Sequence, residues 1–311
     1  MANDATKEPS LVGESKRISL ASLAFAWESY RPAVQERHAR HDFKVFHRFV
    51  KSAQAAGHPV RGERVLDVGC GYRFPVTLLL HSFGARVTGI DTEFIARTLP
   101  LGQWRALLRQ RGLVAFARRF VREAVHKRVY FRALEREFGR PLRFHSLDLR
   151  QIRIEDLHAE DEFDLIFSNA AFEHLSDVDE AIRIIGRALK PRGMAYISMH
   201  LFASLTGGHD VLSTPETSFV LFRPGGFPWR HLRDPNWKSP TFLNRWREDQ
   251  YRDSIERHLK VREWKAEFWE PEEFLTEGVF AELKGYTREE LMKRSIVVVA
   301  ERPTCEEVTG D

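Results

Sequence analysis

Asp67, Gly69 and Gly71 fall within five residues at the end of the apolar run Val65-Leu66-Asp67-Val68, and Asp91 closes a second apolar run twenty residues after Gly71. Two glycines one residue apart let a small molecule lie against bare backbone, and a helix starting just beyond aims its free N–H groups at the same point. A carboxylate at the tip of the following strand is suited to accept hydrogen bonds from both hydroxyls of a ribose. These residues therefore offer a seat for a nucleoside-bearing molecule. Glu173 and His174 offer something different, because they directly follow another apolar run, 163–169. An imidazole titrates near neutrality and can take a proton from a hydroxyl or ammonium group, and a carboxylate beside it would steady its charged form. His200 and His209 are further imidazoles that could contact a substrate or act as the base.

The elements that must position them can be read from periodicity and turn residues. Arg64–Val68 is expected to be a buried strand, 69–73 a tight turn, 74–83 a helix with Val76, Leu79 and Leu80 inward, and 86–90 a second strand ending in Asp91. Strand three is placed at 142–147, ending in Asp148-Leu149, and strand four at 163–169. Ser176 is expected to cap the next helix, with Asp179 placed for a capping box and Val178, Ile182, Ile185 and Leu189 on the buried face. Lys190-Pro191-Arg192-Gly193 then turns the chain into strand five, 194–200. A helix at 247–259 and strands at 261–269 and 295–301 complete an α/β pattern.

The word Leu-Asp-Val-Gly-Cys-Gly, followed by Gly-Ile-Asp, closely resembles the cofactor-binding signature of class I S-adenosylmethionine-dependent methyltransferases. The block from 163 to 200 resembles the same family's later core, down to its Leu-Lys-Pro-x-Gly turn. The resemblance covers roughly 61–96, 141–200 and 245–302. It implies a Rossmann-like α/β fold with a seven-stranded, mostly parallel sheet, a helical N-terminal cover at 17–60 and a methyltransferase domain at 61–302 carrying two insertions, 97–140 and 201–244. It also implies S-adenosylmethionine as cofactor, with the demethylated S-adenosylhomocysteine as product. Asp67, Gly69 and Gly71 would hold its methionine side, Asp91 the ribose, Asp148 and Leu149 the adenine, and Asn169 would lie beneath the methyl-bearing sulfur. Glu173 and His174 become the candidate catalytic pair, and His200 and His209 candidate substrate contacts. Arg73 departs from the glycine usual at its position and could pair with the methionine carboxylate or face the substrate. Tyr30 or Arg31 could also reach that carboxylate. A nicotinamide oxidoreductase is disfavoured, because Phe74 stands where dinucleotide sites usually carry a third glycine and Asp67 precedes the turn. A methyltransferase fold that binds cofactor or a partner without turnover stays open.

Absences narrow the acceptor. Strand four ends Ser168-Asn169-Ala170-Ala171, without the Pro-Pro-aromatic pattern that grips a flipped base, so no nucleic-acid acceptor is expected. A small or medium-sized biosynthetic metabolite remains, methylated on oxygen or nitrogen. The insertion at 97–140 holds twelve Arg or Lys against three Glu, a net of +9, which leaves 4 − 9 = −5 for the rest of the chain. Leu113, Phe116, Phe120, Ala124, Phe131, Leu134 and Phe138 recur there at helical spacing, so it reads as an amphipathic helix with a cationic face. A lid, a homodimer contact, an anionic acceptor and an acidic membrane surface are its open roles. Residues 201–244, rich in Gly, Pro, Trp and His, read as a substrate loop.

With 43% hydrophobic and 30% charged residues, the chain is expected to be globular and cytoplasmic. Its polar first sixteen residues read as a flexible tail without the apolar core of a signal peptide, and 303–311 as an acidic tail. Two cysteines, Cys70 and Cys305, are too few for a disulfide framework or a structural zinc site, and no metal ligand is assigned.

Overall fold

A computed structural model describes residues 31–92, 127–209, 227–239 and 241–303. The expected tail at 1–16, residues 304–311 of the expected tail at 303–311, Tyr30, the basic stretch 97–126 with Arg118, Arg119 and Arg122, and residues 210–226 of the substrate loop lie outside the described residues.

The chain enters on α1 (Pro32–Ala55), whose Val45, Phe46, Phe49, Val50 and Ala53 are buried. Then come β1 (Arg64–Val68), α2 (Pro75–Phe83), β2 (Arg86–Asp91), α3 (Lys127–Phe138), β3 (Asp148–Gln151) and β4 (Phe163–Asn169). The second half runs α4 (Val178–Ala188), β5 (Leu189–His200), the short α5 (Arg230–Arg233), α6 (Glu248–His258), β6 (Lys260–Trp269), α7 (Glu277–Glu282), α8 (Arg288–Met292) and β7 (Lys293–Glu301). The strands form one seven-stranded sheet in the order β3-β2-β1-β4-β5-β7-β6, parallel except that β7 runs antiparallel to both β5 and β6. The expected Rossmann-like architecture is therefore observed.

The near-continuous apolar character of β1, β4 and β5 follows from burial on both faces. One face is covered by α1, α2 and α3, where Phe49 packs between Phe167 and Tyr196 with ring centroids 5.0 and 5.7 Å away. The other is covered by α4 and α6 through Ile182, Ile185, Tyr251 and Ile255. Consecutive strands proceed outward from β1 to β2 and β3, and the chain then returns to lay β4 on the other side of β1. That reversal opens a crevice at the carboxyl ends of β1 and β4, where α/β sheets bind their ligands.

Three local expectations are corrected. The third strand is Asp148–Gln151, not 142–147, because Ser146 takes a left-handed conformation (φ 62°) that breaks extended backbone just before Leu147. α4 is capped by Asp177, whose carboxylate accepts from the Glu180 backbone N–H, while Asp179 is turned to Ser254, Arg257 and His258. The Lys190–Gly193 turn exists, but as a bulge within β5: Phe163 pairs with Leu189 and Leu165 already with Met194.

The described part of the basic insertion, α3, lies on α1 rather than standing free. Tyr130 is fully buried and its hydroxyl donates to Asp42, while Arg136 pairs with Glu36 at 2.8 Å and Arg40 with Glu137 at 3.2 Å. No helix among the described residues is long and apolar enough to cross a membrane.

Candidate active site

The β1 turn is built around two glycines with different neighbours. Gly69 sits at φ +76°, and a Cβ there would lie 2.4 Å from Ala171 Cβ, so the turn after β1 packs against the turn after β4. Gly71, at φ +68°, has nothing within 4 Å of where its Cβ would be, so its backbone faces open space. The Gly71 N–H donates to Asp91 Oδ2 at 2.7 Å, and the N–H groups of Gly69 and Cys70 donate to the Ile90 carbonyl at 2.9 and 3.1 Å. Behind the turn, Asp67 is buried and accepts from Thr77 Oγ1 at 2.5 Å, tying β1 to the first turn of α2. Burial pushes the Asp67 carboxyl up to about 7; the Thr77 hydrogen bond opposes this and the nearby Asp91 charge adds to it. Burial likewise pushes the Cys70 thiol up, which keeps it protonated.

A cleft of about 680 Å³ opens from this turn, bordered by Gly69, Gly71, Asp91, Ile152, Ile154 and His174, with Leu175 and Phe242 also in its wall. A depression on α3, lined by Val129, Arg132, Arg136 and Arg140, shares no residue with it. The 3-10 turn Phe172–His174 follows β4 and is held by Asn244, whose side-chain amide donates to the carbonyls of Phe172 at 2.7 Å and Leu175 at 3.2 Å. In such a turn successive side chains diverge by about 120°. His174 accordingly faces the cleft, while Glu173 turns inward and is 3% exposed. His174 Nδ1 lies 2.9 Å from the Phe242 carbonyl oxygen. A carbonyl only accepts, so Nδ1 carries the proton and the lone pair of the neutral ring is at Nε2.

Glu173 joins His200 and His209 behind that wall. A carboxylate oxygen of Glu173 and one ring nitrogen of each histidine all lie within 4.8 Å of one another. His200 Nδ1 is 3.0 Å from His209 Nε2, which is 3.9 Å from Glu173 Oε1. Burial pushes Glu173 up to about 7; the backbone N–H groups of Glu173 and His200 face it and temper the rise, yet neither oxygen has a hydrogen-bond partner among the described residues. Burial first, and then surrounding positive groups including Arg294, hold His200 well below the usual imidazole range and His209 at about 4, so both rings are neutral.

The structure thus gathers Gly69, Gly71, Asp91 and His174 around one cleft and places the other sequence candidates elsewhere. Asp67 sits behind the turn. Asn169 lies at the end of β4 between Ser168 and Ala170, outside the cleft lining. Asp148 opens β3 opposite Thr88, three positions before Asp91, and its carboxylate is taken by Thr88 Oγ1 at 2.9 Å and Arg150 Nη2 at 2.6 Å. At about 3.3 Å per residue it lies roughly 10 Å below the rim of the sheet. Leu149 packs against the Gly89 backbone in the core. The adenine role implied for Asp148 and Leu149 therefore does not fit, and the apolar wall at the rim is Ile152 and Ile154 instead. Arg73 lies over the rings of Tyr130 at 4.6 Å and Tyr72 at 5.3 Å, a cation–π arrangement that docks the turn on α3. Glu173 is not the partner that orients His174; the Phe242 carbonyl is. The wall residues Ile152, Ile154 and Phe242 were missed from sequence, although an apolar Ile-x-Ile beside a strand end was the available signal for the first two.

A crevice at the strand reversal, bare glycine backbone on its floor and a carboxylate at the second strand's tip are features suited to seating a nucleoside on a Rossmann-like sheet. A family model described as a methyltransferase domain matches residues 37–260, most of the chain. The chain belongs to the class I S-adenosylmethionine-dependent methyltransferase family. No curated protein sequence matches it significantly. Among solved structures, it is similar to a S-adenosylmethionine-dependent methyltransferase of Mesorhizobium loti at 16% identity, covering 81% of this chain and 96% of that one, with a TM-score of 0.41. The N-methyltransferase NodS of Bradyrhizobium japonicum follows at 14% identity, 87% and 97% coverage and a TM-score of 0.40. The [4+2]-cyclase SpnF shares 19% identity over 78% of this chain and 76% of its own, with a TM-score of 0.39. Likenesses this distant carry no information on the acceptor.

The residues present fit the family's cofactor. Bare backbone at Gly71 allows close approach, Asp91 offers a carboxylate to hydroxyls, and Ile152, Ile154 and Leu175 give an apolar wall for a flat ring.

Proposed function

We propose that this chain methylates a hydroxyl or amine of a small or medium-sized metabolite, with His174 Nε2 as the proton acceptor. The observation that carries the reading is the His174 ring itself: it stands in the wall of the same cleft as Gly69, Gly71 and Asp91, with Nδ1 committed to the Phe242 carbonyl. S-adenosylmethionine, when bound, supplies a methyl group on a positively charged sulfur that leaves with the bonding electron pair. Asp91 would accept from the ribose hydroxyls, and the Gly71 backbone would lie against the methionine side. His174 Nε2, aligned by Phe242 and the Asn244-braced turn, would take the acceptor's proton as its lone pair forms the new bond. Phe242, 56% exposed at the cleft edge, provides apolar surface that helps exclude water. Arg153 at the mouth does not argue for a strongly anionic acceptor on its own, since it is paired to Glu155 at 2.8 Å.

The test has two arms. Mass spectrometry of ligand extracted from purified protein should find S-adenosylmethionine or S-adenosylhomocysteine; tight NADH in their place would overturn the cofactor. His174→Ala should lower turnover by about 10²–10⁴-fold, the span usual for a lost general base, with S-adenosylmethionine affinity near wild type. Full turnover with weakened cofactor binding would make His174 a packing element. A cofactor-binding protein without turnover would show ligand in the first arm and no product in a screen of candidate acceptors.

A further inference from the structure

Glu173 is the least satisfied polar side chain near the cleft. It is buried, it lies beside the imidazoles of His200 and His209, and neither of its oxygens has a hydrogen-bond partner among the described residues. Backbone N–H groups of Glu173 and His200 face it without closing a hydrogen bond, so this carboxylate lacks the partner that buried charges ordinarily have. A hydrogen bond between the two rings accounts for the 3.0 Å between His200 Nδ1 and His209 Nε2 but supplies no donor to Glu173.

The surroundings of His200 point the same way. Thr206 Oγ1 donates to Glu270 Oε1 at 2.7 Å and therefore receives the N–H of His200 Nε2, 2.9 Å away. Glu270 is itself buried and also accepts the Thr206 backbone N–H at 3.0 Å. This chain fixes the His200 tautomer with its Nδ1 lone pair turned to His209 and Glu173. A carboxylate acting through a second group to orient an imidazole is the outer-shell arrangement that metal-ligating histidines carry.

We propose that Glu173, His200 and His209 form a binding site for a first-row divalent transition cation. Ligands about 2.0–2.2 Å from such an ion sit about 3–3.6 Å from one another. The observed separations are 3.0 Å between the rings and 3.9 Å from His209 to Glu173, with all three atoms within 4.8 Å of one another, so binding requires Glu173 to close toward the rings by about 1 Å. Two imidazoles and one carboxylate favour zinc, cobalt, iron or manganese over magnesium and calcium, which prefer all-oxygen shells. Three protein ligands leave at least one position for an exchangeable oxygen or nitrogen ligand. The His209 ring lies 4.9 Å from that of His174, so the ion would sit one imidazole behind the cleft wall. The site stands on this geometry alone and does not depend on methyl transfer or on His174 acting as a base.

Tag-free, metal-stripped protein should be titrated with Co²⁺ and followed by visible absorption. One saturable site with d–d bands is expected, displaced by Zn²⁺ and not by Mg²⁺ or Ca²⁺ at the same concentration. Thr206→Val should weaken Co²⁺ binding by about 10–100-fold, the cost usual for an outer-shell partner. Glu173→Gln and His209→Ala should weaken it further, while His145→Ala, an exposed histidine far from the cluster, should leave it unchanged. His209 is partly exposed, so its variant retains the fold even if Glu173→Gln does not, and S-adenosylhomocysteine binding reports folding of each variant. Absence of saturable Co²⁺ binding, equal competition by Mg²⁺, or undiminished binding in folded His209→Ala and Thr206→Val would overturn the site. Loss of cofactor binding in the wild type would instead count against the methyltransferase reading and leave the metal result standing.

Discussion

Asp67 shows how a single buried acid can shape the site from behind its turn. Its carboxyl is raised from an ordinary 3.8 to about 7 mainly by burial, so between those values the folded protein holds a proton that the unfolded chain has released. Stability from this residue is present below about pH 4 and is lost as pH rises toward 7, the reverse of a salt-bridged carboxylate. Asp67→Asn keeps an acceptor for Thr77 Oγ1 and removes the charge. The variant should therefore match the wild type near pH 4 and exceed it by about 2–4 kcal/mol at pH 8. Urea denaturation at the two pH values measures this, and an equal stability difference at both would refute it. Taking the difference between variants cancels the contribution of Glu173, which titrates in the same direction.

At the level of elements, the turn after β1 performs two jobs, and its glycines divide them. Gly69 lets that turn close on Ala171, which fixes the spacing between the β1 and β4 turns across which the cleft opens. Gly69→Ala combines a left-handed alanine with a Cβ contact of 2.4 Å, so it should cost about 2–4 kcal/mol of folding stability and disturb the cleft as well. Gly71→Ala meets no neighbour and should cost only about 1–2 kcal/mol of stability, yet its methyl group enters the space a ligand would fill. Thermal melts and cofactor calorimetry on both variants separate the jobs: Gly71→Ala should lose more binding than stability, Gly69→Ala both. A Gly71→Ala protein with wild-type cofactor affinity would move the ligand away from this turn.

Across the whole molecule, α1 acts as a cover that seals one face of the sheet and receives α3. Its anchor is Phe49, fully buried against Phe167 on β4 and Tyr196 on β5. Phe49→Ala should remove about 3–5 kcal/mol by leaving a cavity under the cover. A denaturation midpoint within error of wild type would mean that α1 contributes little to the cooperative fold. In the described part of the basic insertion, residues 127–140, this docking pairs Arg136 with Glu36 and Glu137 with Arg40 of α1, and Arg140 lies over Phe83 and Phe138.

The fold and the floor of the site were legible because they rest on local rules. Apolar runs of strand length, glycines at Gly69 and Gly71 and the acid at Asp91 are short-range signals, and each takes the place in the fold that it announces, in a strand, a turn or at a strand tip. What depended on register or on side-chain direction was not. Asp148 looked like a rim residue because strand three was placed too early, and only pairing with Thr88 fixes its depth in the sheet. Glu173 and His174 looked like one pair because they are adjacent, and only the 3-10 turn, held by Asn244 from a segment about seventy residues away, sends them to opposite sides of the wall. The meeting of Glu173 with His200 and His209 was beyond reach for the same reason: it joins the ends of two neighbouring strands and a loop, and proximity between segments distant in sequence is created by packing, not by pattern.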